Sequence, residues 1–183
     1  MGTKVGIVLG SKSDQEVIEG SGMCDILNQC GVIWEMSIIS AHRHPEKLVE
    51  YCKGAKDRDI RVFIGVAGMS AALPGVIAAN IDHSLPVIGV PLSSSEFSGA
   101  TDALLAMVRM PGGCPVAVPG IGKSGLKNAA ILAAQILALD GDMVGREIKK
   151  NLLRYLQEHS PEAQLLVATN QKKEEDNDSH GAH

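Results

Sequence analysis

Short apolar runs rich in Val and Ile recur along this sequence, and a stretch with helix-forming signals separates each run from the next. Runs of this length and composition, bounded by Gly or Pro, are typical of strands buried on both faces of a parallel sheet. The alternation therefore predicts an α/β fold, a doubly wound parallel sheet with helices on both faces. The predicted strands cover residues 5–9, 33–39, 61–68, 85–92 and 114–122.

Helix boundaries follow from capping residues and prolines between these runs. Ser13 or Asp14 caps a first helix that extends to Gly31, and Pro45 and Pro74 each begin another. Residues 124–139 are apolar nearly all round, so that helix needs cover on several sides, and a neighbouring subunit is one source of cover. The remaining predicted helices cover residues 102–108 and 145–157.

One domain is expected from the length and the composition. A chain of 183 residues with 45% hydrophobic content can bury a core of its own, and the alternating pattern fills residues 1–160. Residues 161–183 form a C-terminal extension that is polar and charged from Gln171 onward, and we expect this tail to be partly disordered.

The charge and the cysteines exclude several classes of protein. A net charge of −4 without a basic block argues against nucleic-acid binding. The chain has no apolar run of membrane-spanning length and no signal peptide at its N-terminus, so we expect a cytoplasmic protein without a membrane partner. The cysteines have neither CxxC nor zinc-site spacing and are interpreted as reduced thiols: Cys24, Cys30, Cys52 and Cys114.

Small and polar residues follow the predicted strands, at the edge where an open parallel sheet binds its ligands. Glycine residues and the free N–H groups of helix N-termini favour the binding of phosphate, and the Arg43 guanidinium can donate two parallel hydrogen bonds to it. Asp14 can accept hydrogen bonds from sugar hydroxyls. These residues together predict a pocket for a phosphorylated sugar or a mononucleotide, although helix capping explains residues 10–14 equally well when they are taken alone. The residues at the strand ends include Ser11, Ser13, Asp14, Ser40, Arg43, Ala67, Gly68 and Ser70.

His42 lies inside this predicted pocket, between Ser40 and Arg43. A loop histidine is usually a surface residue, but a side chain that titrates near neutral pH can transfer a proton when it lies beside a ligand. His42 is therefore the candidate catalytic residue. No cluster of acidic and histidine residues indicates a metal site, and neither the GxGxxG nor the Walker pattern occurs; the glycines of residues 120–125 are interpreted as a turn.

Six motifs occur together in one order: "VGIVLGSKSD", "SAHRHPE", "VAGMSAALPGVIAA", "LPVIGVPL", "MPGGCPVAV" and "KNAAILAAQIL". Over about residues 4–140 the chain resembles the PurE family of de novo purine biosynthesis, which makes 4-carboxy-5-aminoimidazole ribonucleotide. The resemblance implies a flavodoxin-like three-layer fold, a homo-octamer, a nucleotide substrate, and neither a metal nor an organic cofactor.

The resemblance also implies roles for the residues at the strand ends. Asp14 and Ser11 correspond to residues that hold the nucleotide, and His42 to the catalytic histidine. The family unites two reactions: a mutase moves a carboxyl group from nitrogen to C4 through trapped CO2, and a carboxylase adds CO2 directly. The other implied substrate-binding positions are Ser13, Ser40, Arg43, Ala67, Gly68, Ser70 and Leu73.

The motifs divide between these two reactions. Ser70 and Arg109 are similar to the direct carboxylases, and Ala72 stands where the mutase pattern has a second histidine. "SAHR", "LPG" and "PVIGVP" are similar to the mutases, and overall likeness favours the mutase. Two weaker hypotheses are a non-catalytic nucleotide-binding module, suggested by Ala72, and a flavin-binding relative, which the aromatic content of 3% disfavours.

Overall fold

Four parallel strands form a single sheet in the order β2-β1-β3-β4. The structure is a computed structural model and describes residues 4–94 and 99–159. β1 lies between β2 and β3, so the chain changes direction across the sheet after β2, as in flavodoxin-like folds. The strands are β1 (Lys4–Leu9), β2 (Ile33–Ile38), β3 (Ile60–Ala67) and β4 (Val87–Pro91).

Helices cover both faces of the sheet and divide the core into two clusters. One cluster packs α1, α2, α6 and α7 against one face, and the other packs α3, α4 and α5 against the opposite face. Alternate residues of β1 show the division, since Ile7 belongs to the first cluster and Val8 to the second. The predicted three-layer α/β fold is therefore confirmed. The helices are α1 (Lys12–Glu19), α2 (Met23–Gln29), α3 (Pro45–Lys53), α4 (Leu73–Asn80), α5 (Thr101–Val108), α6 (Gly122–Leu137) and α7 (Met143–His159).

Two predicted elements differ from the structure. The fifth strand is reduced to one bridge, in which the Ala117 N–H donates to Val87 and its carbonyl accepts from Gly89. Pro115 and Pro119 flank that bridge, and a residue without an N–H cannot extend a ladder. The first predicted helix is two helices, because the chain turns at Gly22, whose φ is +82°.

Helix α6 receives most of its cover from the same chain. It packs against α2, α7 and the sheet, and the side chains it buries include Leu126, Ala130 and Leu137. Within the described ranges, no helix has both the length and the apolar character needed to cross a membrane. The predicted disordered tail lies outside the described residues, as does the whole of residues 160–183.

Close packing at the start of α6 depends on Gly125. The chain at Gly120 folds back over the first turn of this helix, and a Cβ added to Gly125 would overlap the backbone carbonyl of Gly120. The same Cβ would lie 3.1 Å from Cγ1 of Val90 on β4. Gly125 is therefore the position where α6, the preceding loop and β4 meet without room for a side chain.

A small polar cluster ties the outer strand β2 to α3. The Tyr51 hydroxyl donates to Glu35 Oε1 at 2.8 Å, and Arg58 Nε donates to the same oxygen at 2.9 Å. The Arg58 guanidinium also lies 4.2 Å from the centre of the Tyr51 ring. Burial, followed by the hydrogen bond to Glu35, raises the pKa of Tyr51 to about 12.

We expect Tyr51→Phe to lessen the loss of stability at alkaline pH. The Tyr51 hydroxyl has a pKa of 10.0 in the unfolded chain and about 12 in the folded protein, so the folded protein holds the proton more tightly. The contribution of this proton to the free energy of unfolding is therefore complete below pH 10.0 and is lost as the pH rises toward about 12. Because Tyr51 keeps contact with solvent, we expect a contribution of about 1 kcal/mol rather than the full value of the shift.

Urea unfolding at neutral and at alkaline pH measures this difference. The alkaline loss of unfolding free energy should be larger for the wild type than for Tyr51→Phe. Burial also raises the pKa of Cys52 to about 11, but this thiol is present in both proteins and cancels in the comparison. Equal losses in the two proteins would contradict the assignment.

Candidate functional site

A cavity of about 470 Å³ opens at the carboxyl ends of all four strands. Its size falls in the range of small-molecule sites, and its position spans the switch point between β1 and β3, where open α/β sheets bind ligands. The cavity contains every residue that the sequence suggested for substrate binding or catalysis; their individual roles stay predictions. These residues are Ser11, Ser13, Asp14, Ser40, His42, Arg43, Ala67, Gly68, Ser70 and Leu73.

The first polar part of the cavity follows β1. The Ser11 N–H donates to Asp14 Oδ2 at 2.9 Å, and the hydroxyls of Ser11 and Ser13 share a hydrogen bond of 2.7 Å. Ser11 has extended backbone before α1 begins, which leaves the first N–H groups of the helix near its own side chain. This arrangement presents hydroxyls and backbone donors around one carboxylate.

The Asp14 carboxyl is half-buried in this corner. Burial is the largest influence and raises its pKa above the usual value, while hydrogen bonds from Ser11 and Gly10 oppose the rise. The side chain accepts hydrogen bonds when ionised, and the hydroxyls of a sugar are donors of the kind it can receive.

The second polar part is a turn that follows β2. The Ser40 carbonyl accepts from the His44 N–H at 2.9 Å, and the Ser40 hydroxyl accepts from the Arg43 N–H at 3.3 Å. Ser40 therefore fixes the turn that carries His42 and Arg43, and both of these side chains are exposed at the cavity. A cation and an imidazole thus lie on one short turn, with their outer ends accessible to a ligand.

The cavity lining also includes buried apolar side chains. Ala67, Ala71, Leu73 and Leu92 line the cavity and are almost completely buried. Leu92 is held to the end of β3 by its N–H, which donates to the Ala67 carbonyl at 3.0 Å. These four side chains offer dispersion contacts and no polar side-chain atoms, so they suit an apolar part of a ligand.

A tight turn in the cavity lining connects β3 to α4. The Ala71 N–H donates to the Gly68 carbonyl at 3.2 Å, and Met69 occupies the first central position with a φ of +54°. Ser70 at the second central position does not have a positive φ. That combination of signs is typical of type II′ turns, in which glycine is the preferred first central residue.

Several residues that bear on the choice of reaction have clear positions. Ala72 lines the cavity, whereas Arg109 follows α5 and is not among the lining residues. Among the described residues of the lining, His42 is the one histidine.

Val17 also lines the cavity, and the sequence did not lead us to expect it there. Its position one helical turn after Asp14 on α1 was a signal that could have identified it.

The described residues contain no group of three or more His, Cys, Asp or Glu side chains that could hold a metal ion. His83 and His159 are exposed and lie outside the cavity lining. The chemistry that the cavity can supply comes from a cation and hydroxyls for an anion, a carboxylate for hydroxyl donors, and one imidazole for a proton.

Comparison with known proteins gives a consistent result. The AIR carboxylase family model matches residues 4–159 of this chain. The N5-carboxyaminoimidazole ribonucleotide mutase of Bacillus subtilis is 49% identical over 140 residues, which covers 76% of this chain and 83% of the relative. The protein of the same name from Thermotoga maritima is 44% identical over 163 residues and covers 89% of this chain and 91% of the relative.

A solved structure agrees with these sequence relatives. PurE of Treponema denticola superposes with a TM-score of 0.72 at 30% identity, and the match covers 93% of this chain and 98% of that protein. The likeness therefore extends over most of both chains.

Proposed function

The chain belongs to the AIR carboxylase family, also called PurE, and on that premise we propose that it is an N5-carboxyaminoimidazole ribonucleotide mutase of purine biosynthesis. Its product is 4-carboxy-5-aminoimidazole ribonucleotide. The observation that carries the proposal is that one strand-end cavity brings together Arg43 with serine hydroxyls, buried apolar side chains, and His42 on the turn beside Arg43. A phosphorylated ribose and an aminoimidazole ring with a migrating carboxyl group need both the polar and the apolar contacts.

In this proposal the polar part holds the nucleotide. Arg43 and Ser40 bind the phosphate, and the N-terminal turn of α1 with Ser11 and Ser13 contributes hydroxyls and backbone donors. Asp14 accepts hydrogen bonds from the ribose. The imidazole ring then lies toward the loop of residues 67–73, where Gly68, Ser70 and Leu73 surround the carboxyl group.

The chemical steps need one proton carrier. The C–N bond of the N-carboxyl group breaks, its electron pair returns to nitrogen, nitrogen takes a proton from His42, and CO2 is released inside the cavity. C4 of the aminoimidazole then attacks CO2, and the C4 proton passes to the neutral His42, which restores the aromatic ring and the starting state of the histidine. Protons balance, and no other reactant enters.

Direct carboxylation of the aminoimidazole nucleotide by CO2 is a second candidate. Ala72 and Ser70 in the cavity lining favour it, because the mutase motif has a histidine at the position of Ala72. The deciding experiment supplies the purified enzyme either with the N5-carboxyamino compound or with aminoimidazole ribonucleotide and bicarbonate. We expect faster product formation from the N5-carboxyamino compound, and a preference for the other pair would overturn the mutase assignment.

We expect Arg43→Ala to raise KM about 10- to 100-fold with a smaller effect on kcat, because a hydrogen bond between charged groups contributes about 1.5–3 kcal/mol. Arg43→Lys should recover only part of the affinity, since an ammonium group lacks the two-pronged geometry of guanidinium. Arg146→Ala is the matched control, because Arg146 is exposed on α7 and outside the cavity lining. Unchanged KM in Arg43→Ala would contradict the phosphate assignment.

We place the activity in one domain of residues 1–160, in a cytoplasmic homo-octamer. Exposed apolar side chains around the junction of α6 and α7, including Leu139 and Met143, are consistent with contacts between copies. Sedimentation should give a particle of about eight chains of 19.2 kDa each. A monomer at micromolar concentration would exclude this assembly.

A further inference from the structure

Met69 combines three properties that packing does not explain. Its φ of +54° is one that side chains other than glycine rarely adopt. The residue is 50% exposed, so burial does not compensate for that conformation. The residue nevertheless lines the strand-end cavity, in the same turn as Ala71. Backbone strain of this kind persists only where the surrounding structure imposes it, and it is concentrated at functional sites.

The structure fixes both ends of the turn that carries Met69. A Cβ on Gly68 would lie 3.1 Å from the Leu92 carbonyl oxygen, so the turn begins in direct contact with the end of β4. It ends at Ala71, which is 3% exposed, immediately before α4. With both ends held, the backbone at Met69 cannot relax by moving the turn, and its side chain stays at the edge of the cavity.

We propose that Met69 is a specificity residue that covers the buried apolar side chains of the cavity during the reaction and limits exchange of the CO2 intermediate with solvent. This role rests on the proposed function. Between cleavage of the C–N bond and formation of the C4–C bond, no covalent bond holds CO2. Ala67, Ala71, Leu73 and Leu92 provide the buried wall around it, and Met69 is an exposed apolar residue of the same lining.

The thioether side chain suits this position. It is long, flexible and apolar, so it can fill the irregular space left above a bound ring without a hydrogen-bonding group that would hold water there. CO2 that leaves the cavity is hydrated to bicarbonate and a proton, and aminoimidazole ribonucleotide remains as a dead-end product for a mutase. Retention of CO2 therefore determines whether the enzyme transfers the carboxyl group or merely removes it.

A labelling experiment measures retention directly. The N5-carboxyamino compound carries ¹³C in its carboxyl group, the buffer contains excess unlabelled bicarbonate, and mass spectrometry gives the labelled fraction of the C4-carboxylated product. The wild type should retain most of the label. Met69→Ala and Met69→Gly should both form about threefold more unlabelled product and more aminoimidazole ribonucleotide per turnover. Met69→Leu, which restores an apolar side chain of similar volume, should recover retention.

Asp59→Gly is the matched control for backbone strain. Asp59 is the other non-glycine residue with a positive φ in the described part of the chain, at +60°, and it lies outside this cavity. Met69→Gly and Asp59→Gly should both raise the midpoint of thermal unfolding, while only the former loses label.

Three results would overturn the role of Met69. One is full label retention in both Met69→Ala and Met69→Gly. Another is loss of label in Met69→Gly alone, because that would assign the effect to the flexibility of the turn. The third is a wild-type enzyme that forms no product from the N5-carboxyamino compound, which would remove the proposed function and this role together and is recognised from the wild-type reaction alone.

Discussion

His42→Asn should lower kcat for formation of the C4-carboxylated product about 10²- to 10⁴-fold, the range that a positioned acid–base group usually supplies. Asparagine keeps a polar side chain on the turn after β2 but cannot carry a proton between nitrogen and C4. Among the described residues of the lining no second histidine is available to take over, because the position of the motif's other histidine is Ala72. The loss should therefore be close to the full contribution of the proton carrier.

KM should change much less than kcat, because Ser40 and Arg43, the residues proposed to bind the phosphate, stay on the same turn. His44→Asn is the matched control, since His44 is exposed two residues away and is not part of the cavity lining. Stopped or continuous absorbance assays of both variants measure the contrast. Turnover by His42→Asn within a factor of about ten of the wild type would remove His42 from the mechanism.

Gly125→Ala should lower the free energy of unfolding by about 3 kcal/mol. Two effects oppose each other at this position. Alanine favours a helix over glycine by about 1 kcal/mol, but its Cβ would overlap the Gly120 carbonyl, which is backbone and cannot rotate away. The overlap is the larger effect, because the loop and the start of α6 would have to separate from β4.

Gly112→Ala is the control for this substitution. Gly112 has no positive φ, and an added Cβ would meet nothing within 4 Å. That change should be neutral or slightly stabilising, since alanine restricts the unfolded chain. Thermal and urea unfolding followed by circular dichroism compare the two variants. Equal unfolding midpoints for Gly125→Ala and Gly112→Ala would show that the close contact between Gly120 and Gly125 does not contribute to stability.

Much of this architecture was accessible from the sequence because buried parallel strands have a strong composition signal. The first four predicted strands correspond to β1–β4, and the polar residues after them converge as the geometry of parallel strands requires. The prediction of a fifth strand was wrong because apolar, β-branched composition does not show which backbone N–H groups are free to pair. Pro115 and Pro119 have no N–H, and pairing with β4 is limited to Ala117.

Other features depend on contacts that no local pattern encodes. Gly20 and Gly22 were a sequence signal for the break between α1 and α2. The amphipathic pattern continues on both sides of these glycines, so the pattern predicted one continuous helix. The positive φ of Met69 could not be predicted, because methionine favours ordinary helical or extended conformations. The turn depends instead on the close approach of Gly68 to the Leu92 carbonyl, a contact between residues distant in the sequence.

The distribution of the cavity lining along the chain has a consequence for how the protein loses its structure. Residues 10–17, 40–43, 67–73 and 92–94 contribute to the lining, and each segment follows a different strand. A ligand bound in this cavity would therefore contact the ends of all four strands, and the separation of any one strand from the sheet would remove part of the surface that binds the ligand. Ligand should slow amide hydrogen exchange in all four strands together, and partial unfolding of any edge should release it.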